Sequence, residues 1–346
     1  MRRRELLEIG IVAVLVALAG IAHYAGANEV LEFFLAALAI AGLARLVGSA
    51  TEQLGGRVGT GTAGIIQSGL GNLPELFIVL FALNDGLLVV VQSALVGSIL
   101  ANSVLVLGLA FLVGGLRNGR QEFHSPTART IATLTVLSAS IMAVPSFTHA
   151  WGTAAASHET ALSLIAAGVL IVLFFVALPV LMHSAEEGQE REPPHWSLAT
   201  TVVVLAAAGA GAAFASDWFV AALTPATQAM HMSEAFAGLV VVAIAGNAVE
   251  NVVGVQLAAA NRPDFAIAVI LNSSLQVALL LTPVIVFVSL FFTTSLTLVF
   301  APFLALVLIL SALLSTFVVY DGESTWHEGA ILIGFYVVVA ASFWWG

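Results

Sequence analysis

Cysteine and lysine are both absent from this chain of 346 residues, and only 9% of its residues are charged. The absence of cysteine excludes disulfide bonds and thiolate metal sites. All ten basic residues are arginine, against twenty acidic residues, and the formal net charge of −10 argues against nucleic acid as a partner. So few charged residues could not cover the surface of a soluble domain of this length.

Apolar residues make up the difference, since 60% of the chain is hydrophobic and its mean hydropathy is +1.06. We therefore expect an all-α polytopic membrane protein whose surroundings are the lipid bilayer. A hydropathy window of about 20 residues predicts eleven membrane-spanning helices, near residues 6–26, 29–48, 58–83, 87–114, 127–148, 159–183, 196–216, 233–259, 264–292, 296–319 and 327–345. Residues 217–231 are too polar and too short for a further span, and we expect an outer loop with a short interfacial helix there.

The arginines predict the orientation of the chain, because cytoplasmic loops are enriched in basic residues. With a cytoplasmic N-terminus and eleven spans, all ten fall at cytoplasmic helix ends: Arg2, Arg3, Arg4, Arg45, Arg57, Arg117, Arg120, Arg129, Arg191 and Arg262. An extra or a missing helix would scatter them over both faces. We therefore expect a multi-pass protein with its N-terminus in the cytoplasm. The arginine-only composition and the short loops favour a prokaryotic cytoplasmic membrane, with a vacuolar membrane as the alternative.

The longest polar connection divides the chain into two halves. It spans residues 184–195 and contains Glu186, Glu187, Glu190 and Glu192. We expect an extra N-terminal helix in residues 1–28, a first five-helix repeat in 29–183, this acidic cytoplasmic linker in 184–195, and a second five-helix repeat in 196–346. The linker could attract calcium, although a charge run is more often simply a solvated loop.

Two glutamates interrupt the apolar helices, and each ends a short motif of the pattern Gly-Asn-x-x-Glu. The two copies are Gly71-Asn72-Leu73-Pro74-Glu75 and Gly246-Asn247-Ala248-Val249-Glu250. A carboxylate at bilayer depth costs a few kcal/mol or more and marks a functional site unless a partner neutralises it. The predicted topology makes the two helices antiparallel. The sequence therefore predicts two inverted repeats that bring both acids to one site near the midplane.

Other polar side chains share helix faces near these acids. Asn72 is three residues from Glu75, as Asn247 is from Glu250, and four residues separate Ser98 from Asn102 and Asn272 from Gln276. Pro74 removes a backbone hydrogen bond and frees a carbonyl about one turn earlier. The glycines at 69, 71, 246 and 254 allow close helix approach. Carboxylate, amide, hydroxyl and carbonyl oxygens form a ligand set that suits calcium.

Two stretches of the chain resemble the conserved repeats of the calcium/proton exchangers. The first contains Gly71-Asn72-Leu73-Pro74-Glu75-Leu76, Phe81-Ala82-Leu83, Gly97-Ser98-Ile99-Leu100 and Leu105-Val106-Leu107-Gly108-Leu109. The second contains the motif that ends at Glu250, then Asp264, Ser273-Ser274-Leu275-Gln276 and Thr282-Pro283. Ala50-Thr51-Glu52 and Ala128-Arg129-Thr130 extend the resemblance, which covers the chain from Glu29 onward.

The resemblance implies the fold of the cation/calcium antiporter superfamily, with ten core helices plus one, and export of Ca²⁺ driven by H⁺. It implies that Glu75 and Glu250 bind Ca²⁺ and protons alternately. Supporting ligands or gating residues would be Asn72, Asn247, Ser98, Asn102, Ser273, Ser274 and Gln276. The chain departs from the family pattern at Asn251, where histidine is usual, at Asn272, where glycine is usual, and at Leu73-Pro74, which is closer to the sodium/calcium exchangers.

Other functions stay open. A sodium-coupled exchanger would share this architecture, and Leu73-Pro74 and the missing histidine favour it, whereas the match over the rest of the chain favours protons. An intramembrane hydrolase would need a motif such as Gly-x-Ser-x-Gly or His-Glu-x-x-His, and the sequence contains neither. A channel fits two antiparallel repeats less well than alternating access does. We expect no cofactor beyond the transported Ca²⁺, and a homo-oligomer is compatible with such a chain. The amides and hydroxyls could also be ordinary packing bonds between helices.

Overall fold

The computed structural model describes residues 1–58, 69–187 and 194–345, without the side chains of Ser125, residues 180–187 and Val249. Part of the predicted third span and residues 188–193 of the predicted linker lie outside the described residues. The described chain is almost entirely helical. Its two short strands, β1 (Gln121–Glu122) and β2 (Glu323–Ser324), pair antiparallel, with Gln121 opposite Ser324.

Twelve helical segments follow one another along the described chain. They are α1 (Arg3–Tyr24), α2 (Glu29–Gly55), α3 (Leu73–Asn84), α4 (Leu88–Asn118), α5 (Ser125–Ala150), α6 (Glu159–Glu187), α7 (Leu198–Ala229), α8 (Glu234–Gly246), α9 (Ala248–Ala259), α10 (Pro263–Phe291), α11 (Pro302–Val319) and α12 (Trp326–Trp344). A 3₁₀-helix, Ala154–His158, precedes α6.

Side-chain caps fix several helix starts. The Asn28 side chain accepts hydrogen bonds from the backbone N–H groups of Val30 and Leu31 at the start of α2. Thr325 and Glu328 form a reciprocal capping box at the start of α12. Such caps satisfy N–H groups that have no partner within the helix.

Most of the predicted spans correspond to these helices, and the prediction of an all-α membrane protein is confirmed. Within the described residues, nine helices are long and apolar enough to cross a membrane, and the bent pair α8 and α9 would form a tenth span. The predicted third span contains α3, an apolar helix too short to cross alone. The total of eleven spans stays a prediction, because residues 59–68 are not described.

The prediction of an outer loop at residues 217–231 is wrong. α7 continues to Ala229, and it is 32 residues long. At about 1.5 Å per residue this helix reaches about 48 Å, well beyond a hydrocarbon core of about 30 Å. Its last turns are amphipathic, since Trp218, Phe219 and Leu223 are buried while Asp217 is exposed. The mean hydropathy of this stretch is low because it averages a polar and an apolar face, and the prediction therefore missed the end of the helix.

The predicted span at 296–319 begins too early, because α11 starts only at Pro302. Residues before it are extended, with Leu296, Leu298 and Phe300 buried. Side chains of other helices bind this backbone: Ser163 accepts from the N–H of Leu298 at 3.0 Å, Ser146 accepts from that of Phe300 at 2.9 Å, and Gln92 donates to the carbonyls of Thr297 and Val299 at 3.2 and 3.0 Å. This apolar stretch can stay extended because side chains of other helices form the hydrogen bonds that its backbone N–H and C=O groups require.

Contacts between chain-distant residues define two faces of the helical bundle. We call the face at the start of α1 the N-terminal face. There Glu5 contacts His195 at 2.6 Å, and the β1–β2 pair joins the end of α4 to the start of α12. At the opposite face, the N–H of Ser233 donates to the carbonyl of Trp344 at 3.0 Å. Successive membrane-spanning segments therefore alternate in direction, with α8 and α9 counted as one segment.

The most buried long helices lie at the centre of the bundle. The most apolar stretch of α4 is 78% buried and that of α10 is 61% buried, whereas that of α1 is only 22% buried. α1 packs on α2 and α7, where Val12 meets Gly42 and Trp218 meets Gly20. The central helices α4 and α10 carry most of the predicted polar site residues.

Candidate ion-binding site

Each glutamate lies in the first turn of a short helix that begins at a break in the chain. Asn72 is the N-cap residue of α3, with φ −93° and ψ 15°, and Asn247 is the N-cap residue of α9, with φ −104° and ψ 26°. The path from α8 into α9 bends by 63° at Asn247. A broken helix directs free backbone groups towards a buried site, as is typical of transporters.

The two glutamate segments repeat each other at a constant spacing. Counterparts lie 175 positions apart, at Asn72 and Asn247, Glu75 and Glu250, and Ser98 and Ser273. α3 and α9 have the same length of 12 residues and begin at counterpart positions. Their following turns match as well, because Gly86 and Asn261, also counterparts, both have positive φ, 76° and 59°. α3 ends at the face opposite the N-terminal one and α9 ends at the N-terminal face, so the two copies are inverted.

Three π-helical segments adjoin the site. Ala101–Val106 lies within α4, Ala237–Val242 within α8, and Val277–Leu281 within α10. π-Helical turns within α-helices are rare and are frequent at functional sites. The first of them contains Asn102, and the third begins just after Gln276.

Four of the predicted polar residues form one buried hydrogen-bond network. Asn102 donates through Nδ2 to Oδ1 of Asn247 and to Oγ of Ser273, both at 3.0 Å. Asn247 donates through Nδ2 to Oγ of Ser98 at 3.0 Å and to the carbonyl of Ala243 at 2.9 Å. All four side chains have at most 4% of their surface exposed. The network joins α4 and α10 to the break between α8 and α9.

The remaining predicted polar residues lie beside this network. Ser274 donates to the carbonyls of Ile99 and Ile270, both at 3.4 Å. Asn72 is buried and Gln276 is half-buried, and neither side chain hydrogen-bonds to another residue of the described chain. The carbonyl of Ile99 was not foreseen from the sequence, since no pattern identifies which backbone oxygens a helix leaves available.

Glu75 is fully buried, with 0% of its surface exposed. Within the described chain, neither of its carboxyl oxygens has a hydrogen-bond partner. Its Cβ lies against Gly246, where a methyl group on the glycine would come within 3.2 Å. The hydroxyl of Ser98 is a hydrogen-bonding group next to the Glu75 carboxyl, although the pair does not reach hydrogen-bond geometry, and the half-buried carboxyl of Glu250 lies within electrostatic range of Glu75. The structure thus brings the two predicted acids to one site.

No basic side chain of the described residues forms an ion pair with either acid; the ion pairs found there involve other residues. A buried carboxyl without a partner is costly whether it is charged or neutral. The surrounding groups offer carboxyl, amide, hydroxyl and carbonyl oxygens. This arrangement suits a hard cation such as Ca²⁺, or protons on the same carboxyls.

Glycines let the helices around the site approach closely. A Cβ on Gly97, next to Ser98, would come within 2.4 Å of the carbonyl oxygen of Leu239, and one on Gly238 within 2.6 Å of that of Val90. Gly254 approaches the side chain of Ile270, as the sequence predicted, whereas Gly69 has no close neighbour among the described residues. The contacts of Gly97 and Gly238 were missed by the sequence analysis.

Glu52 lies apart from the two site glutamates. It lines a cavity at the N-terminal face with Glu5, Glu8, Gln53 and His195. Glu52 thus lies in the last turns of α2, near the end of that helix.

Comparison with known proteins relates the chain to ion exchangers. The model of the family described as sodium/calcium exchanger protein matches residues 29–182 and 200–345. The Ca²⁺/H⁺ antiporter ChaA of Bacillus subtilis is 35% identical over 320 residues, covering 90% of this chain and 91% of that protein.

Two solved structures have the same fold. The structure of native YfkE has a TM-score of 0.85 and 32% sequence identity, and the match covers 97% of this chain and 99% of that one. The structure of the H⁺/Ca²⁺ exchanger CAX has a TM-score of 0.74 over 97% of this chain and 88% of that one, and at 16% identity it supports the fold alone.

Proposed function

Since this chain belongs to the sodium/calcium exchanger protein family, we propose that it is a secondary antiporter that exports Ca²⁺ in exchange for H⁺ by alternating access. It is a transporter and not an enzyme, as are the antiporters that it resembles. Its substrates are ions, and no resident cofactor is part of the proposal.

The fully buried carboxyl of Glu75, without a hydrogen-bond partner in the described chain, is the observation that carries this proposal. Such a group needs a cation or a proton, because burial of a bare carboxylate is costly. Glu250 lies within electrostatic range, so a second carboxyl faces the same need. Two carboxyls that share a site favour a divalent cation or a pair of protons.

Charge balance explains why exchange would be obligatory. Two ionised carboxylates neutralise one Ca²⁺, and two protonated carboxyls are neutral without it. Either state can pass through an occluded form with little electrostatic cost, whereas an empty dianion would be held back by its desolvation penalty. Leak without exchange is thereby suppressed.

The amide and hydroxyl network would set the shape of the site. Asn247 hydrogen-bonds to both Asn102 and Ser98, and these bonds link the break before α9 to α4. We propose that Asn72, Asn247, Ser98, Asn102, Ser273, Ser274 and Gln276 support or gate the ion. Asn72 and Gln276 make no side-chain hydrogen bond to another residue of the described chain, so their polar groups are available to an ion.

Relatives named as Ca²⁺/H⁺ antiporters favour the proton as coupling ion. One is from Bacillus subtilis, and another, from Synechocystis, is 32% identical over 93% of this chain. Sodium is the second candidate, because the family description names it and because Leu73 and Pro74 precede the first acid.

Transport by purified protein tests the proposal and separates the two coupling ions. Proteoliposomes are given calcium-45 outside and, in parallel arms, an acid interior or a sodium-loaded interior. We expect uptake to follow the pH gradient and to disappear when an ionophore dissipates it. Uptake driven by the sodium gradient alone would overturn proton coupling, and no uptake in either arm would overturn calcium exchange.

We also propose that the N-terminal face is cytoplasmic. Arginines cluster there: Arg57 donates to the carbonyl of Trp196, Arg45 pairs with Glu8, and Arg120 pairs with Glu323. Basic residues near membrane-spanning helices favour the cytoplasm. The domain boundaries at residues 28, 183 and 195 stay part of this proposal. The orientation can be tested with single cysteines introduced at either face of the protein and labelled from outside intact cells, because the chain has no cysteine of its own.

A further inference from the structure

The end of α9, the helix that carries Glu250, is held by side chains of the segment that follows α4. Gln121 donates through Nε2 to the carbonyl of Ala258 at 3.0 Å and to Oδ1 of Asn261 at 2.8 Å. Asn118 donates through Nδ2 to the same Ala258 carbonyl at 3.2 Å. The Ala258 carbonyl also accepts from the backbone N–H of Asn261 at 3.1 Å, so the two side chains add to the backbone capping of α9 and tie its last turn to the end of α4.

Gln121 is itself fixed in place. It is only 3% exposed, and its backbone pairs with Ser324 in the two-stranded sheet. Gly114 makes room for the side chain, because a Cβ there would lie 2.0 Å from Oε1 of Gln121. Downstream, the N–H of His124 donates to Asp264 in the first turn of α10 at 2.5 Å. The segment that follows α4 thus binds both sides of the turn between α9 and α10, with Gln121 at the end of α9 and His124 at the start of α10.

The other glutamate helix has no such attachment. Within the described residues, no side chain donates to the last carbonyls of α3, where Asn84 bonds only to its neighbour Asp85, at 3.3 Å. The counterpart of Asn261 at this turn is Gly86, which has no side chain to accept a hydrogen bond. Two copies that match in length and backbone conformation therefore differ in how their ends are held.

We propose that Gln121, through Asn261 and the Ala258 carbonyl, is a positioning residue for Glu250. The inference rests on the proposed exchange of Ca²⁺ at the two glutamates. The chain bends by 63° at the start of α9, so a continuous helix does not fix that end. Glu250 is two turns from Ala258, about 12 Å along a rigid helix, and a clamp at the far end therefore restricts where its carboxyl can lie. By the same reasoning we expect α3 to be the more mobile of the two glutamate helices.

Two substitutions test the clamp without straining the backbone. Asn261→Gly removes the acceptor side chain and reproduces the residue found at Gly86, and the positive φ of 59° suits glycine. Gln121→Met keeps the length of the side chain and removes the donor. Gln53→Met is the matched control, because Gln53 is a buried glutamine at the same face that binds the backbone N–H groups of His195 and Trp196 instead.

We expect both clamp variants to raise the KM for Ca²⁺ by roughly three- to tenfold, the worth of about one hydrogen bond, with kcat changed by less than that. The double variant should be no worse than Gln121→Met alone, since that substitution already removes the bond to Asn261 as well as the one to the Ala258 carbonyl. Hydrogen–deuterium exchange should become faster over residues 248–260 and stay unchanged over residues 73–84. The Gln53 variant should show neither effect.

An unchanged KM for Ca²⁺ in both clamp variants would overturn the inference, even if hydrogen–deuterium exchange over α9 became faster. Unchanged hydrogen exchange over α9 would overturn it as well. Failure of the proposed function is a separate result, because the parent protein itself would then transport no calcium. The hydrogen–deuterium exchange of α3 and α9 could still be compared in that case.

Discussion

The side chain of Glu75 lies directly against Gly246: a Cβ on the glycine would be 3.2 Å from Cβ and 3.6 Å from Cγ of the glutamate. Gly246 ends α8, one residue before the break at Asn247 and four before Glu250. The absence of a side chain at 246 therefore lets one acid approach the segment that carries the other. This contact joins the two inverted copies at the candidate site.

Gly246→Ala should weaken calcium transport by displacing Glu75. The added methyl group needs a shift of a few tenths of an ångström in a buried site, which we expect to cost on the order of 1 kcal/mol and to raise the KM for Ca²⁺ about fivefold. Gly168→Ala is the control, because nothing lies within 4 Å of a Cβ there. Equal KM values in both variants would contradict a site at this contact.

Glu75→Gln and Glu250→Gln should each abolish exchange while the protein stays folded. Glutamine keeps the size of the side chain but can neither balance a cation nor carry the proton back. Calcium-45 uptake should fall to the level of empty liposomes, and size-exclusion elution should match the parent. Glu29→Gln, at an exposed acid in the first turn of α2, is the control and should transport normally.

The sequence predicted the helical class, the positions of most spans and the two buried acids, because hydropathy and a charge in an apolar run are local signals. It also predicted that Asn247, Ser98, Asn102 and Ser273 would lie near the acids, and they form one network. Their assignment as ion ligands stays a prediction.

Non-local features were not predictable. The Gln121 clamp depends on a carbonyl 137 residues away, and nothing near Gln121 in sequence announces it. The π-helical turns in α4, α8 and α10 were not predicted from the sequence either. The helix through Asp217 was mispredicted because mean hydropathy averages its polar face with its apolar face. The extended segment before Pro302 was mispredicted because hydropathy does not show that distant serines hydrogen-bond to its backbone.

Asn102→Ala should destabilise the protein as well as impair transport. It leaves the Oδ1 of Asn247 and the hydroxyl of Ser273 without this donor in a buried site, a loss of about 1–3 kcal/mol. Thermal unfolding in detergent should show a lower midpoint. Ser311→Ala is the control, since Ser311 bonds only to the Leu308 carbonyl of its own helix. A midpoint equal to that of the control would argue that the network contributes little.

Gly97→Ala should be more damaging than Gly246→Ala. Its methyl group would meet backbone atoms of Leu239, with the carbonyl oxygen at 2.4 Å and Cα at 2.6 Å, and no side-chain rotation can relieve the clash. The helices would have to separate beside Ser98, which we expect to cost about 1–3 kcal/mol. Purified yield, unfolding midpoint and uptake should all fall. Gly209→Ala, with open space around its Cβ, should leave all three unchanged, and similar behaviour of the two variants would refute the close crossing.

Protons and calcium should compete at the same carboxyls, which gives transport a definite dependence on pH. Acidification of the calcium-loading side should raise the apparent KM for Ca²⁺, because protonated Glu75 and Glu250 cannot ligand the ion, while the maximal rate at saturating calcium should change little. Acidification of the opposite side should have the reverse consequence and accelerate uptake, since protons there complete the return step. Initial rates of calcium-45 uptake measured at several calcium concentrations, with the two pH values varied independently, separate these effects. A KM that is insensitive to pH on the loading side would show that the proton is carried elsewhere than on the two glutamates.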